Sequence, residues 1–380
     1  MVTIHDVARA AGVSISTVSY ALSGKRAIGE STRSRVMRVA TELDYQPNAA
    51  ARTLAGTRAH ILALSAPFRA DGHMPTHMRF VTAVVEAARR RDYDVLLLAT
   101  DDETSGLRRV ASSSLVDAAV VLGVATVDER VPLVRRLGLP STFIGVPRDA
   151  DALTCIDLDF ESAGRMTVER LAAAGHRTIG VIGHPHGYVD RDTNFIRRFA
   201  DGFDAACAEL GVKTARSWPE LGKASAHEAF DELFDRLDGM TALVFHCNQP
   251  IAEAVLAHIA ERGISIPADL SVLAACASYA TDELAPPLDT IPLPLEEMCS
   301  RAVDSAIDGV AGGLGPAVDL LEPTYVHRGS VAAPRHRRTH RRSASTTRAV
   351  DRQPTDRQPT DRQPAGEQLS GQQLSGQHPR

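Results

Sequence analysis

The chain has 380 residues, 44% of them hydrophobic and only 4% aromatic, with 42 Lys/Arg against 47 Asp/Glu for a net charge of −5. That length exceeds one small domain and can fill a sizeable core, while the absence of any apolar run of about 18 residues argues against a membrane-spanning helix. The charge is unevenly shared: residues 1–58 carry net +4, residues 59–332 net −15 and residues 333–380 net +6, so an acidic body lies between two basic ends.

Met1-Val-Thr-Ile-His-Asp6 opens directly into a helical pattern instead of a signal peptide, which implies a cytoplasmic protein. Ile4, Val7, Ala8 and Ala11 line one face of a first helix, Gly12 supplies a turn, and Ser14 can cap a second helix whose apolar face is Val18, Ala21 and Leu22. Two helices joined by about three residues have the spacing of a helix-turn-helix, with the second helix expected in the major groove. Its leading residues would meet base edges: Ile15 suits a thymine methyl, Ser16 a base or phosphate, and Tyr20 lies one turn on. Lys25 and Arg26, in the following loop, are candidate phosphate contacts. A third helix is predicted from Glu30 to about Leu43 on the period of Val36, Val39, Ala40 and Leu43, with Gly29 as a weak cap.

Pro47 ends that helix, Asn48 can cap, and Ala49-Ala-Ala-Arg-Thr-Leu-Ala55 has high helix propensity before Gly56. A helix this short is marginal alone in water, so it is expected to form only when DNA and a second subunit hold it.

From residue 60 onward, short apolar runs alternate with helical patterns. Strands are predicted at 61–65, 95–99, 118–122, 142–145, 179–182, 243–245 and 272–274, and helices at 78–91, 163–174, 199–210, 227–237 and 251–262. Such alternation implies parallel sheets covered on both faces. Some 270 residues of it exceed one sheet, so two side-by-side α/β subdomains with a cleft between them are expected.

Four spaced motifs resemble the LacI/GalR family of bacterial transcription regulators. They are Thr3 to Gly24, reading TIHDVARAAGVSISTVSYALSG; Tyr45-Gln-Pro-Asn48 with Ala51-Arg-Thr-Leu54; Leu171 to Gly183; and Ile266 to Val272 followed by Pro286 to Ile291. The resemblance runs to about residue 330 and implies an α/β protein in four parts. These are a three-helix DNA-binding headpiece (1–46), a hinge helix and linker (47–59), a periplasmic-binding-protein-like core of two parallel-sheet subdomains (60–332) and a low-complexity tail (333–380). It implies a repressor that binds a pseudopalindromic double-stranded operator as a homodimer, with a small-molecule effector in the core cleft and no cofactor. Leu54 resembles the family's minor-groove wedge, a linker-packing residue being the alternative. The candidate DNA contacts are Thr3, Ser14, Ile15, Ser16, Thr17, Ser19, Tyr20, Lys25, Arg26, Asn48, Ala51, Arg52 and Leu54. Chain crossings between subdomains are expected near Asp157, Pro287 and residue 320.

Ligands of open α/β sheets sit beyond the carboxyl ends of strands, which nominates Ser65, Phe68, Arg197, Arg198, Asn248, Gln249 and Cys276 for the effector. Here the family pattern breaks: Asn248-Gln249 replaces Asn-Asp, and Ala274-Ala-Cys-Ala277 replaces Gly-Phe-Asp-Asp. Loss of acids that grip sugar hydroxyls weakens the expectation of a plain sugar and leaves a phosphorylated, acidic or less polar ligand open.

The remaining notable residues read as bland. His184-Pro-His186 is expected as a loop facing the cleft instead of a metal clip, and His73 and His77 lack ligand partners at metal spacing. Asp157 and Asp159 fit a crossover and a helix start. Five scattered cysteines, with no C-x-x-C pair, are expected as buried free thiols. No nucleophile–base pair is visible, so an enzyme or a simple binding protein on the same scaffold is the alternative class. The tail's basic block Arg335 to Arg342, its Asp-Arg-Gln-Pro-Thr repeats and its Gln-Leu-Ser-Gly-Gln repeats lack apolar content and are expected to be disordered. Without apolar heptads, the tail offers no tetramerising coiled coil.

Overall fold

The computed structural model describes residues 2–23, 26–45, 58–69, 72–99, 102–313 and 315–335. Lys25, the hinge candidates Asn48, Ala51, Arg52 and Leu54, and the repeats of the tail lie outside the described residues.

The headpiece contains α1 (Ile4–Ala11), α2 (Ile15–Ser23) and α3 (Glu30–Glu42). Its core is Val7, Ala8, Ala11, Val18, Ala21, Val36, Val39 and Ala40, the apolar positions that the helical spacing selects. Gly12 closes α1 in the left-handed region at φ 62°, with its N–H bonded back to the last turn and Val13 N–H donating to Ala8 O at 3.1 Å. A side chain at that φ is unfavourable, which is why glycine makes this turn.

The body holds two parallel sheets. In the six-stranded sheet the order is β11-β5-β4-β3-β1-β2, from β1 (Ile61–Ser65), β2 (Asp94–Leu98), β3 (Ala118–Val121), β4 (Ser141–Ile144), β5 (Thr154–Leu158) and β11 (Val318–Leu321). The five-stranded sheet runs β10-β9-β8-β6-β7, from β6 (Thr178–Ile182), β7 (Lys213–Ser217), β8 (Ala242–Phe245), β9 (Ser271–Ala277) and β10 (Asp289–Pro292). The helices are α4 (Met74–Arg90), α5 (Glu103–Ser112), α6 (Arg130–Leu137), α7 (Phe160–Ala173), α8 (His186–Asp190), α9 (Asn194–Leu210), α10 (Lys223–Arg236), α11 (Gln249–Glu261) and α12 (Leu295–Val310). All seven predicted strands occur within a few residues of their expected bounds.

Four strands and several helices are not evident from the sequence pattern. β5 carries the buried Asp157, β7 and β11 are sheet edges with polar residues, and β10 ends in Pro292, so none presents an uninterrupted apolar run. α12 had a legible signal: Leu295, Met298, Cys299, Ala302, Val303, Ala306 and Ile307 are its buried stripe. The chain leaves the first sheet after β5, returns to it through α12 after Pro292, and leaves again after β11 to pair Val326 with Thr290. The middle crossing therefore falls a few residues later than Pro287.

Two buried carboxylates organise the strand ends. Asp289 accepts hydrogen bonds from the Tyr325 hydroxyl, from His327 Nδ1 at 3.0 Å and from the backbone N–H groups of Arg328, Gly329 and Ser330, fastening the last crossing segment to β10. Asp128 pairs with the fully buried Arg130, whose guanidinium also donates to Leu122 O, Gly123 O and Ser65 Oγ. Every polar atom of a buried ion pair must be matched for it to be tolerated, and Arg130 meets that demand by tying the ends of β1 and β3 together.

Candidate DNA-reading surface and ligand cleft

The reading surface starts from the cap of α2. Ser14 Oγ accepts the Thr17 N–H at 3.1 Å and lies 2.8 Å from both Ser16 Oγ and Thr17 Oγ1, so one hydroxyl links the other two at the helix start. Ile15 and Tyr20 are 41% and 36% exposed on α2, and Ser16 is exposed beside them. The Arg26 guanidinium lies 5.9 Å from the centre of the Tyr20 ring, bringing a cation to the same surface. Ser19 is half-buried. The Thr3 N–H and hydroxyl both donate to Asp6 Oδ2, at 2.9 and 2.7 Å, which caps α1 and holds the Asp6 carboxyl below its ordinary range. Thr17 is likewise committed to Ser14.

The cleft opens between the carboxyl ends of the two sheets and has about 190 Å³ of free space. From the first sheet come the loop after β1 with the start of α4, the ends of β3 and β4, and Asp157 at the end of β5; from the second come His184, Tyr188, Asn194, Phe195, His246, Asn248 and Cys276. This is where parallel strands aim their loops.

Its inner wall is aromatic. His184 packs against Tyr188, Phe195 and His246 at 5.2 to 5.4 Å, and His246 stacks on Phe199 at 4.0 Å. Burial pushes the His184 imidazole down to about 4 and lowers His246 well below the usual range, so both are neutral at pH 7. His184 Nδ1, His246 Nε2 and both amide atoms of Asn248 have no partner among the described residues. Unmatched buried polar atoms cost about 1–3 kcal/mol each, and a ligand bearing donors and acceptors would satisfy them. Asn248 owes its place to α11: it is that helix's N-cap residue, with Pro250 in the first turn.

Asp157 is the cleft's buried acid. Its carboxylate lies 3.2 Å from Arg198 Nη1, and Arg198 also approaches Asp159 at 3.8 Å. Burial raises Asp157 to about 7 against the downward pull of Arg198. Asp159 caps α7 by accepting the Ser162 N–H at 3.1 Å. Arg198 is carried by α9, which meets α7 at very short range: a Cβ on Gly202 would stand 1.9 Å from Glu161 O, and one on Gly164 2.2 Å from Phe199 O.

Of the seven effector residues expected from sequence, Asn248 and Cys276 line the cleft. Cys276 does so from a left-handed backbone at φ 53°, a strained conformation for a side-chain-bearing residue, at an irregularity in the β9–β10 pairing. The other five do not. Ser65 is buried under Arg130, Phe68 packs on His77, and Arg197 faces outward toward Asp201 at 3.8 Å. Arg198 stands behind Asp157, and Gln249 turns away to donate to Glu253 at 2.8 Å. The lining arginines are instead Arg69 and Arg191. The cleft does contain one buried acid, Asp157. His73, Thr76 and His77 line it too; a helix start beyond the end of β1 was the signal that pointed there.

The lacI family model of bacterial regulatory proteins matches residues 3–48, and the periplasmic binding protein-like domain matches 168–331. The HTH-type transcriptional regulator GalS of Salmonella typhimurium is 30% identical over 354 residues, which cover 87% of this chain and 97% of GalS. The chain belongs to the LacI family. HTH-type transcriptional regulator DegA of Bacillus subtilis is 29% identical over 305 residues, covering 78% of this chain and 88% of DegA. HTH-type transcriptional repressor PurR of Glaesserella parasuis is 26% identical over 317 residues, covering 82% and 90%. In fold, this LacI-family chain is similar to the lac repressor dimer bound to operator and the anti-inducer ONPF, with a TM-score of 0.74 at 22% identity over 87% of this chain and 99% of that one. It is similar also to a transcriptional regulator CelR–cellobiose complex, at TM-score 0.61, 24% identity, and coverage of 87% and 100%. The protein is thus a DNA-binding transcriptional regulator with an effector-binding core. Among the described residues no helix is long and apolar enough to cross a membrane.

Proposed function

We propose that this LacI-family regulator is a repressor that binds a pseudopalindromic operator as a homodimer and changes its DNA affinity when a small molecule occupies the cleft. The observation that carries the reading is that the cleft draws its walls from both sheets, so one ligand touching Asn248 and Asp157 binds some arrangements of the subdomains better than others. Differential affinity of that kind shifts the population of the states that set headpiece spacing. Ile15, Ser16 and Tyr20 read base edges, and Arg26 with Lys25 meets phosphate. Asn48, Ala51, Arg52 and Leu54 form the DNA-ordered hinge, a reading that rests on sequence alone. The four-part division at residues 46, 59 and 332 follows from the same motifs.

The effector is a modified or anionic sugar or another small metabolite. Asp157 is already engaged by Arg198, while Arg69 and Arg191 supply positive charge at the rim. Burial pushes the cleft thiols of Cys247 and Cys276 upward, the reverse of what a thiolate nucleophile needs, which supports a binding role for them. Sequencing the fragments of its own genome retained by the purified full chain tests the reading. A single pseudopalindromic motif, released by one metabolite of a panel, is expected; retention of random fragments would overturn it.

A further inference from the structure

A group of side chains outside the cleft has the composition of a metal site. His227 stands in the second turn of α10, and His258 and Glu261 lie three residues apart at the end of α11, the two helices packing side by side in the second subdomain. One ligand atom from each of the three lies within 4.8 Å of the others. The two imidazoles are stacked, with centroids 4.2 Å apart and planes inclined by 15°.

We propose that His227, His258 and Glu261 bind a divalent transition-metal ion of the zinc class, which clamps α10 to α11. Two further features point to a cation. His227 Nε2 and His258 Nδ1 are both buried and have no hydrogen-bond partner among the described residues. His258 meets Asp231 Oδ1 through its other nitrogen, Nε2, at 2.9 Å. A ring that donates from Nε2 to a carboxylate keeps its lone pair on Nδ1, the arrangement by which carboxylates orient metal-ligating histidines. Arg262 is occupied with the same Asp231 and lies over the Phe230 and Phe234 rings, so the local guanidinium is held on the carboxylate.

Two imidazoles and one carboxylate suit zinc or cobalt over calcium or magnesium, which take oxygen ligands. Bonds of about 2.0–2.2 Å in a tetrahedral site separate ligand atoms by about 3.3 Å. The trio reaches this by turning the imidazoles out of their stack and swinging in the exposed Glu261, with water as fourth ligand. The ion then adds to the Asp231 contacts with His258 and Arg262 that already link the two helices, and α11 is the helix whose opposite end presents Asn248 to the cleft.

The test uses the full chain stripped of metal by a chelator. Cobalt(II) titration should give one equivalent of visible ligand-field absorption without a sulfur-to-cobalt charge-transfer band, and zinc should displace it and raise the thermal midpoint. His227→Ala and His258→Gln should abolish both effects. Glu261→Gln, at an exposed position that does not threaten folding, should weaken binding at least tenfold. Absence of binding, a charge-transfer band from cysteine, or equal binding by the variants, as the tail histidines His336, His340 and His378 would give, overturns the proposal.

Discussion

Arg198 donates to Asp157 at 3.2 Å across the boundary between the subdomains, joining a helix of the second to the last residues of a strand of the first. The pair borders the cleft, so a bond that helps join the subdomains also limits what Asp157 can offer a ligand.

Arg198→Met should therefore destabilise the core by about 3 kcal/mol at pH 8, because it leaves a buried carboxylate without its cation. The cost should shrink below pH 7, where Asp157, already raised to about 7, accepts a proton. In the wild type, Asp157 stays protonated in the folded state to a higher pH than in the unfolded chain, so its contribution falls as the pH rises from about 4 to 7. Urea unfolding at pH 5.5 and 8 checks both; an equal Arg198→Met cost at the two values would contradict them.

At the reading surface, Ser16→Ala and Tyr20→Ala should each reduce discrimination between operator and random DNA by roughly 1–3 kcal/mol, the usual worth of one side chain reading one base edge. Arg26→Ala should weaken all sequences alike and lower the salt slope by about one unit. Binding titrations at several salt concentrations separate the two behaviours, and a uniform loss in all three variants would remove the base-reading assignment.

In the cleft, Asn248→Leu should weaken effector binding at least tenfold, since the amide's donor and acceptor both disappear, while operator binding by the free protein is unchanged. Calorimetry with neutral monosaccharides should show weak binding to the wild type. One neutral sugar that binds tightly and releases operator DNA would refute the anionic or modified ligand and leave the repressor reading intact.

The α7–α9 contact offers a packing test. Gly202→Ala places a Cβ against backbone at 1.9 Å and should cost about 3 kcal/mol. Gly211, at φ 64° with open space around it, should accept Asn within about 1 kcal/mol. Chemical denaturation distinguishes them; similar losses would mean that the helices separate freely.

Local patterning was enough to specify the headpiece and the class of the core. Val7, Val18 and Val36 are dictated by helical period, and β1, β3 and β8 by short apolar runs, because periodicity is a property of neighbouring residues along the chain. Asn248 and Cys276 were also within reach, since the carboxyl end of a parallel strand predicts a cleft position without any knowledge of what lies opposite. The rest of the site was fixed only in three dimensions. That Arg198 and not Arg197 reaches Asp157 depends on where the fold sets α9 against β5, and whether Asp157 is a ligand group or a fastening depends on that arginine, 41 positions away. His227 meets His258 only because α10, which leads into β8, and α11, which leads out of it, pack side by side on the second sheet. Distances of that kind are set by packing between remote segments, and no pattern of neighbours along the chain encodes them.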